Sequence, residues 1–174
     1  MRFFLIVVVV ISSSCRPNRD LSQYVEEDPR SKLTAKLVLN DKLHESQIRS
    51  GFYQLEQGGW RWASNQFSVE LKAPFASQKL GAKLSIIGNA PDVLISRTGP
   101  IRVEAKLNGT DLGQATISKT GEVALTLDVP PALLSAEHLI FDFKTDKFLP
   151  SNTFPGDGRQ LALIVSSIAL ETKK

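Results

Sequence analysis

The sequence predicts an all-β protein, a two-sheet antiparallel β-sandwich of jelly-roll type. Apolar residues recur with a period of two in segment after segment, which is the mark of strands with one buried and one wet face. Glycine, proline and asparagine bracket those segments. Helical periodicity and βα alternation are missing from the region, so a parallel sheet is not expected.

The elements follow in order. Leu33, Ala35, Leu37 and Leu39 alternate with Thr34, Lys36 and Val38. Phe67, Val69 and Leu71 alternate with Ser68 and Glu70, defining a strand over 66–72. Leu80, Ala82, Leu84 and Ile86 form the next, then Ile101, Val103, Ala105 and Leu107. Val123, Leu125, Leu127 and Val129 follow, then Leu139, Phe141 and Phe143. The run 161–170 is apolar with less regular alternation, as suits a central strand or one bulged near Ser166-Ser167. Asn108-Gly109 is a hairpin signal, because both central positions of a type I′ turn need positive φ. Thr120-Gly121 marks a further turn. Gly99-Pro100 and Pro130-Pro131 bound strands, since proline cannot donate to a ladder. Only 130–137, PPALLSAE, hints at a helical turn. Seven or eight antiparallel strands at this spacing make a jelly-roll sandwich over 31–174.

The segment ahead of this domain has a different character. Met1 and Arg2 precede the apolar run FFLIVVVVI, then three serines and Cys15. As helix that run would span about 14 Å, under half of a bilayer's hydrocarbon thickness, so a transmembrane helix is not expected. Its layout is that of a secretory signal peptide. The single cysteine directly after it resembles a bacterial lipoprotein signal, which implies a signal peptide over 1–14 and lipidation at Cys15. An ordinary signal cut near Ser14, leaving Cys15 incidental, is the alternative. Lipidation removes the liability of an exported thiol that has no disulfide partner. Arg16 stands where enterobacterial lipoproteins retained at the inner membrane carry aspartate. The stretch 16–30, RPNRDLSQYVEEDPR, is polar and bracketed by prolines, as a flexible tether would be. The expected location is the bacterial cell envelope, with the chain lipid-anchored to a membrane (the outer membrane or the periplasmic face in a Gram-negative cell).

Composition narrows the function classes. Apolar residues make up 42% and charged residues 22% of the 174, which argues for a globular domain. The net charge of +3 is scattered among acids, so nucleic acid is not an expected partner. The two histidines, His44 and His138, lie far apart in the sequence, and HExxH, paired CxxC and GxSxG are absent. No cofactor is expected. The carboxylates Glu56, Asp142, Asp146 and Asp157 are dispersed, whereas glycoside hydrolysis needs two facing across a cleft. A catalytic role is therefore not expected. In SNTFPGDGR, 151–159, Asp157 and loop carbonyls could take calcium, but turn chemistry accounts for the Gly-Asp-Gly. No metal site is expected.

Aromatic residues are the better lead. GFYQLEQGGWRW, 51–62, holds both tryptophans, and sugar-binding sandwiches set aromatic faces against pyranose rings. Trp62 is expected to plug the core, and Trp60 is open between core and surface. Candidate ligand-binding residues are Tyr53, Glu56 and Trp60, with Asp157 and Arg159 just before the last strand. The Asp157-x-Arg159 pair has two readings. Arg159 can pin a loop carboxylate such as Glu56, or it can meet a ligand.

The order Gly51 to Glu56, Arg61-Trp62, Asn108-Gly109, Phe148 to Ser151 and Asp157 to Ile168 resembles the galactose-binding-like jelly-roll modules found beside bacterial envelope glycosyltransferases and in lipoproteins. The resemblance covers roughly 32–171. It implies a non-catalytic, carbohydrate-binding-like domain. The expected function is a bacterial envelope lipoprotein that binds a glycan or envelope polysaccharide. The alternative is a structural or partner-binding lipoprotein, accessory to an export or polysaccharide-synthesis assembly. The expected partners are a carbohydrate or an envelope protein, and the membrane through the N-terminal lipid.

Overall fold

The alternation read from the sequence appears directly as burial. In the computed structural model, which describes residues 33–136 and 138–174, Ala82, Leu84 and Ile86 are buried while Lys83 between them is exposed. The signal-type run, Cys15 and the tether lie outside the described residues. Nine strands follow in order: β1 (Lys36–Val38), β2 (Ile48–Phe52), β3 (Arg61–Leu71), β4 (Ala82–Ala90), β5 (Ile101–Leu107), β6 (Thr110–Ile117), β7 (Gly121–Val129), β8 (Leu139–Thr145) and β9 (Ile164–Thr172). Two short helices, α1 (Ser77–Leu80) and α2 (Asp92–Thr98), stand between strands.

All strand pairs are antiparallel. The first sheet runs β1-β9-β4-β7 and the second β2-β3-β8-β5-β6. With β2 set aside as an added edge, the orders 1-9-4-7 and 3-8-5-6 are those of a jelly roll. β3 belongs to both sheets. Its start pairs Arg61 with Val165 and Trp62 with Ile164, while Gln66 to Leu71 pair with β8. A strand that changes sheets makes a corner of the sandwich.

The core fills the space between the inner faces. Leu37, Leu84, Ile86, Ile168 and Leu170 come from the first sheet; Phe67, Val69, Phe141, Val103 and Leu107 come from the second. Phe67 stacks on Phe143 at 4.9 Å between centroids and meets the edge of Phe52 at 5.2 Å. Asn108 (φ 47) and Gly109 (φ 83) make the expected hairpin turn. The Asn108 side chain also donates to the His138 carbonyl and accepts from the Ile140 N–H, tying the turn to β8. The bulge falls at Ser166, since Ile87 faces Ser167 but Gly88 faces Val165. A side chain at Gly88 would collide with the Ile164 carbonyl there.

Several boundaries differ from expectation. β3 begins at Arg61 rather than at 66, because the aromatic corner is itself paired to β9. The first strand is only Lys36–Val38, and regular pairing in the last starts at Ile164. Leu80 closes α1 instead of opening a strand. Helical structure is not confined to 130–137, where Pro131–Leu133 is a 3-10 turn. α2 and a 3-10 segment at Lys42–Gln47 are also present.

Candidate functional site

The five predicted ligand residues come together at one corner. Arg159 donates from Nε and Nη2 to the two carboxylate oxygens of Asp157, both at 2.9 Å, and from Nη1 to Glu56 at 2.8 Å. The Arg159 N–H also donates to Asp157 at 3.0 Å. These bonds hold the Asp157 carboxyl below its usual range, the Arg159 side chain first and its backbone N–H second. The guanidinium, raised still further by Asp157 and then Glu56, lies 5.3 Å over the Tyr53 ring. The Tyr53 hydroxyl donates to the Gln160 carbonyl at 2.9 Å and accepts from its N–H at 3.1 Å. Trp60 is half-buried and meets Trp62 edge to face at 5.9 Å, while Trp62 is 7% exposed.

Arg61 fastens the same corner from beneath. Its Nε donates to the Leu39 carbonyl at 2.9 Å, Nη1 to the Tyr53 carbonyl at 3.2 Å, and Nη2 to Glu45 at 2.7 Å. Every guanidinium nitrogen of both arginines therefore donates at least one hydrogen bond within the protein. Between the two readings of Asp157-x-Arg159, the geometry is that of a latch joining the loop before β3 to the loop before β9. Glu56 and Asp157 share one cation, and Asp157 is biased toward its charged form. A glycosidase acid needs the opposite bias. Asp142 lies elsewhere, at mid-strand on β8, and Asp146 accepts from the Arg102 N–H at 2.7 Å.

The histidines are separate as well. His44 Nδ1 lies 2.7 Å from Asp41, and His138 Nδ1 lies 2.6 Å from Glu70. Glu70 is 5% exposed and also receives Arg49 at 3.3 Å, so this buried carboxylate has two basic partners. Among the described residues no three His, Cys, Asp or Glu side chains converge as a metal site would require.

A surface that sequence reasoning did not single out is the outer face of the second sheet. Register sets Gln66, Lys144 and Glu104 in one row across β3, β8 and β5, continued by Gln114 on β6. The next row is Ser68, Asp142, Lys106 and Asp111. Lysine thus neighbours carboxylate along each row. A hollow of about 330 Å³, lined by Ser50, Gln66, Ser68, Asp142, Lys144 and their neighbours, crosses these rows. It shares Glu104 and Lys106 with a second hollow that reaches Gln114 on β6. Period-two reading marked these residues only as wet positions. Alignment into one groove depends on strand order, which no short motif encodes.

No family model matches the chain, and no curated protein matches it by sequence. Solved structures similar to it include the following three. The CBM36-1 domain of a multidomain xylanase from the hindgut metagenome of Trinervitermes trinervoides is 14% identical, with a TM-score of 0.43 over 75% of this chain and 94% of that one. An exo-beta-1,3-galactanase from Phanerochaete chrysosporium is 13% identical, with a TM-score of 0.36 over 79% of this chain and 26% of its own. The CBM51-2 and INT domains of Clostridium perfringens ZmpB are 9% identical, with a TM-score of 0.37 over 80% of this chain and 28% of theirs. The chain spans about a quarter of the length of the last two. At this level of similarity the strand order remains what defines the jelly roll.

Proposed function

We propose that this protein is a non-catalytic, glycan-binding jelly-roll domain of a bacterial envelope lipoprotein, and that the groove on the outer face of its second sheet receives the glycan. The supporting observation is the pair of polar rows across β3, β8, β5 and β6. A sugar hydroxyl both donates and accepts. Lysine ammonium, carboxylate, amide and hydroxyl groups side by side answer both needs. Lys106 and Lys144 stand among Glu104, Asp142 and Asp111, so the face suits a neutral, hydroxyl-rich chain better than a polyanion. The corner latch has a supporting part in this reading, with its donors already engaged. Cys15 would carry the lipid, and 16–30 would space the domain from the membrane.

Glycan arrays followed by calorimetry on the chain test this reading. Binding of a neutral oligosaccharide that is lost on Asp142→Ala and Lys144→Ala is the expected result. No binding to any glycan at millimolar concentration would remove it and favour the partner-binding alternative.

A further inference from the structure

We propose that the end of the sandwich formed by 72–83 and 172–174 docks on an anionic membrane surface, with Phe75 and Leu80 entering the headgroup region. The inference rests on the membrane-tethered part of the proposed function and names the surface that would face the lipid.

Phe75 is 96% exposed and Leu80 53% exposed, on a single loop between β3 and β4. Their presentation is built in. The Phe75 carbonyl accepts from Thr172 Oγ1 at 2.7 Å, and Ala76 holds a left-handed φ of 62°. The N–H of Gly81 closes α1 onto Ser77, and Lys173 N–H donates to the Gly81 carbonyl. Around this apolar tip stand Lys72, Lys79, Lys83 and Lys174, all exposed, and half-buried Lys173. Among the described residues the acidic groups nearest this loop are Asp128, which pairs with Lys173 at 3.1 Å, Glu171, which is opposite Lys83 in the ladder, and buried Glu70, which already has Arg49 and His138 as partners. Five lysines against these acids, with Glu70 already answered by Arg49, leave the tip positive. An exposed aromatic and an aliphatic side chain ringed by lysines fit an interface whose phosphates are negative and whose boundary is apolar.

Chain entry points the same way. The Lys72 N–H donates to the Thr34 carbonyl at 3.0 Å, so the first described residues lie beside this loop. The 32 residues preceding them, Cys15 included, join the domain at its lysine-rich end. The Arg159 corner lies at the other end of β4, about 26 Å away over eight residue steps. Docking by this tip would keep the corner far from the lipid and leave the sheet groove open on the side of the sandwich.

The test uses residues 15–174 carrying Cys15→Ala, so that neither a lipid link nor the apolar run at 3–11 contributes, with Phe75→Trp added as a reporter. Vesicles contain phosphatidylglycerol or phosphatidylcholine alone, each with brominated acyl chains. With phosphatidylglycerol the Phe75→Trp chain is expected to show emission shifted to the blue and quenched by bromine. The same chain without that substitution, whose Trp60 and Trp62 lie at the other end, is expected to stay unquenched. Lys72→Gln and Lys79→Gln should each lower partitioning about fivefold. The proposal is overturned if position 75 is unquenched on phosphatidylglycerol vesicles, if quenching is equal on phosphatidylcholine, or if the chain lacking Phe75→Trp is quenched as strongly. Because the readout needs neither lipidation nor glycan, its failure is distinguishable from failure of either.

Discussion

Replacing Trp62 by alanine should be the most damaging single change at the aromatic corner. Trp62 sits where β3 passes from the first sheet to the second, paired with Ile164 and 7% exposed. A buried tryptophan removes about 150–250 Å² from water, and at about 25 cal/mol per Å² its loss costs roughly 4 kcal/mol once the cavity is included. For a domain of this size that lowers Tm by about 8–16 °C. Trp60 meets Trp62 edge to face at the margin of the core and is half-buried, so Trp60→Ala should cost about 1–2 kcal/mol. The double variant should fall short of the sum by about 0.5–1.5 kcal/mol, the coupling of an edge-to-face pair. Urea unfolding followed by circular dichroism measures all three. A cost below about 1 kcal/mol for Trp62→Ala, or a greater cost for Trp60→Ala, would refute the assignment of Trp62 as the plug.

Other outcomes follow from the same structure. Arg159→Met should lower stability at neutral pH and remove part of its acid dependence. Asp157 has a depressed folded-state pKa, so its contribution is present above the unfolded value near 3.8 and is lost as pH falls below it. Unfolding curves of the two proteins should therefore differ above about pH 4 and draw together as pH falls through the depressed folded-state value. Gly51→Ala should destabilise by at least about 2 kcal/mol, because Gly51 has φ 75 and an added Cβ would strike the Gln66 carbonyl. Thermal melts of that variant give the figure directly. Cys15→Ala should move the protein out of the salt-washed membrane fraction as cells are fractionated; a chain that stays in the membrane and uncleaved would count against lipidation.

The parts legible in the sequence are those set by local periodicity. β5 and β8 bury every second residue, β4 and β7 largely do so, with Gly88 and Leu127 half-buried, and each was readable from that alternation. The Arg159–Glu56 pair was readable too, because an Asp-x-Arg before the last strand has few loop carboxylates within reach. β2 was hidden. Its sequence IRSGF lacks alternation, and two register shifts against β3 leave no periodic pattern to read. β6 is largely polar because it is an edge strand, so its burial signal is weak. α2 is too short for a helical period, and Gly99 at its end was read with Pro100 only as a strand boundary. The groove was illegible for a different reason. Gln66, Glu104 and Lys144 become neighbours only through the long-range order β3-β8-β5, and local sequence does not carry strand order. The apolar tip at Phe75 was likewise invisible, since an exposed phenylalanine is indistinguishable by sequence from a buried one.

Backbone amide chemical shifts during titration with neutral oligosaccharides test the central claim most directly. The account predicts shifts concentrated at Gln66, Ser68, Glu104, Lys106, Asp142 and Lys144, abolished by Asp142→Ala without loss of fold. Shifts confined instead to Tyr53, Glu56, Trp60, Asp157 and Arg159 would contradict it and make the corner latch the ligand site.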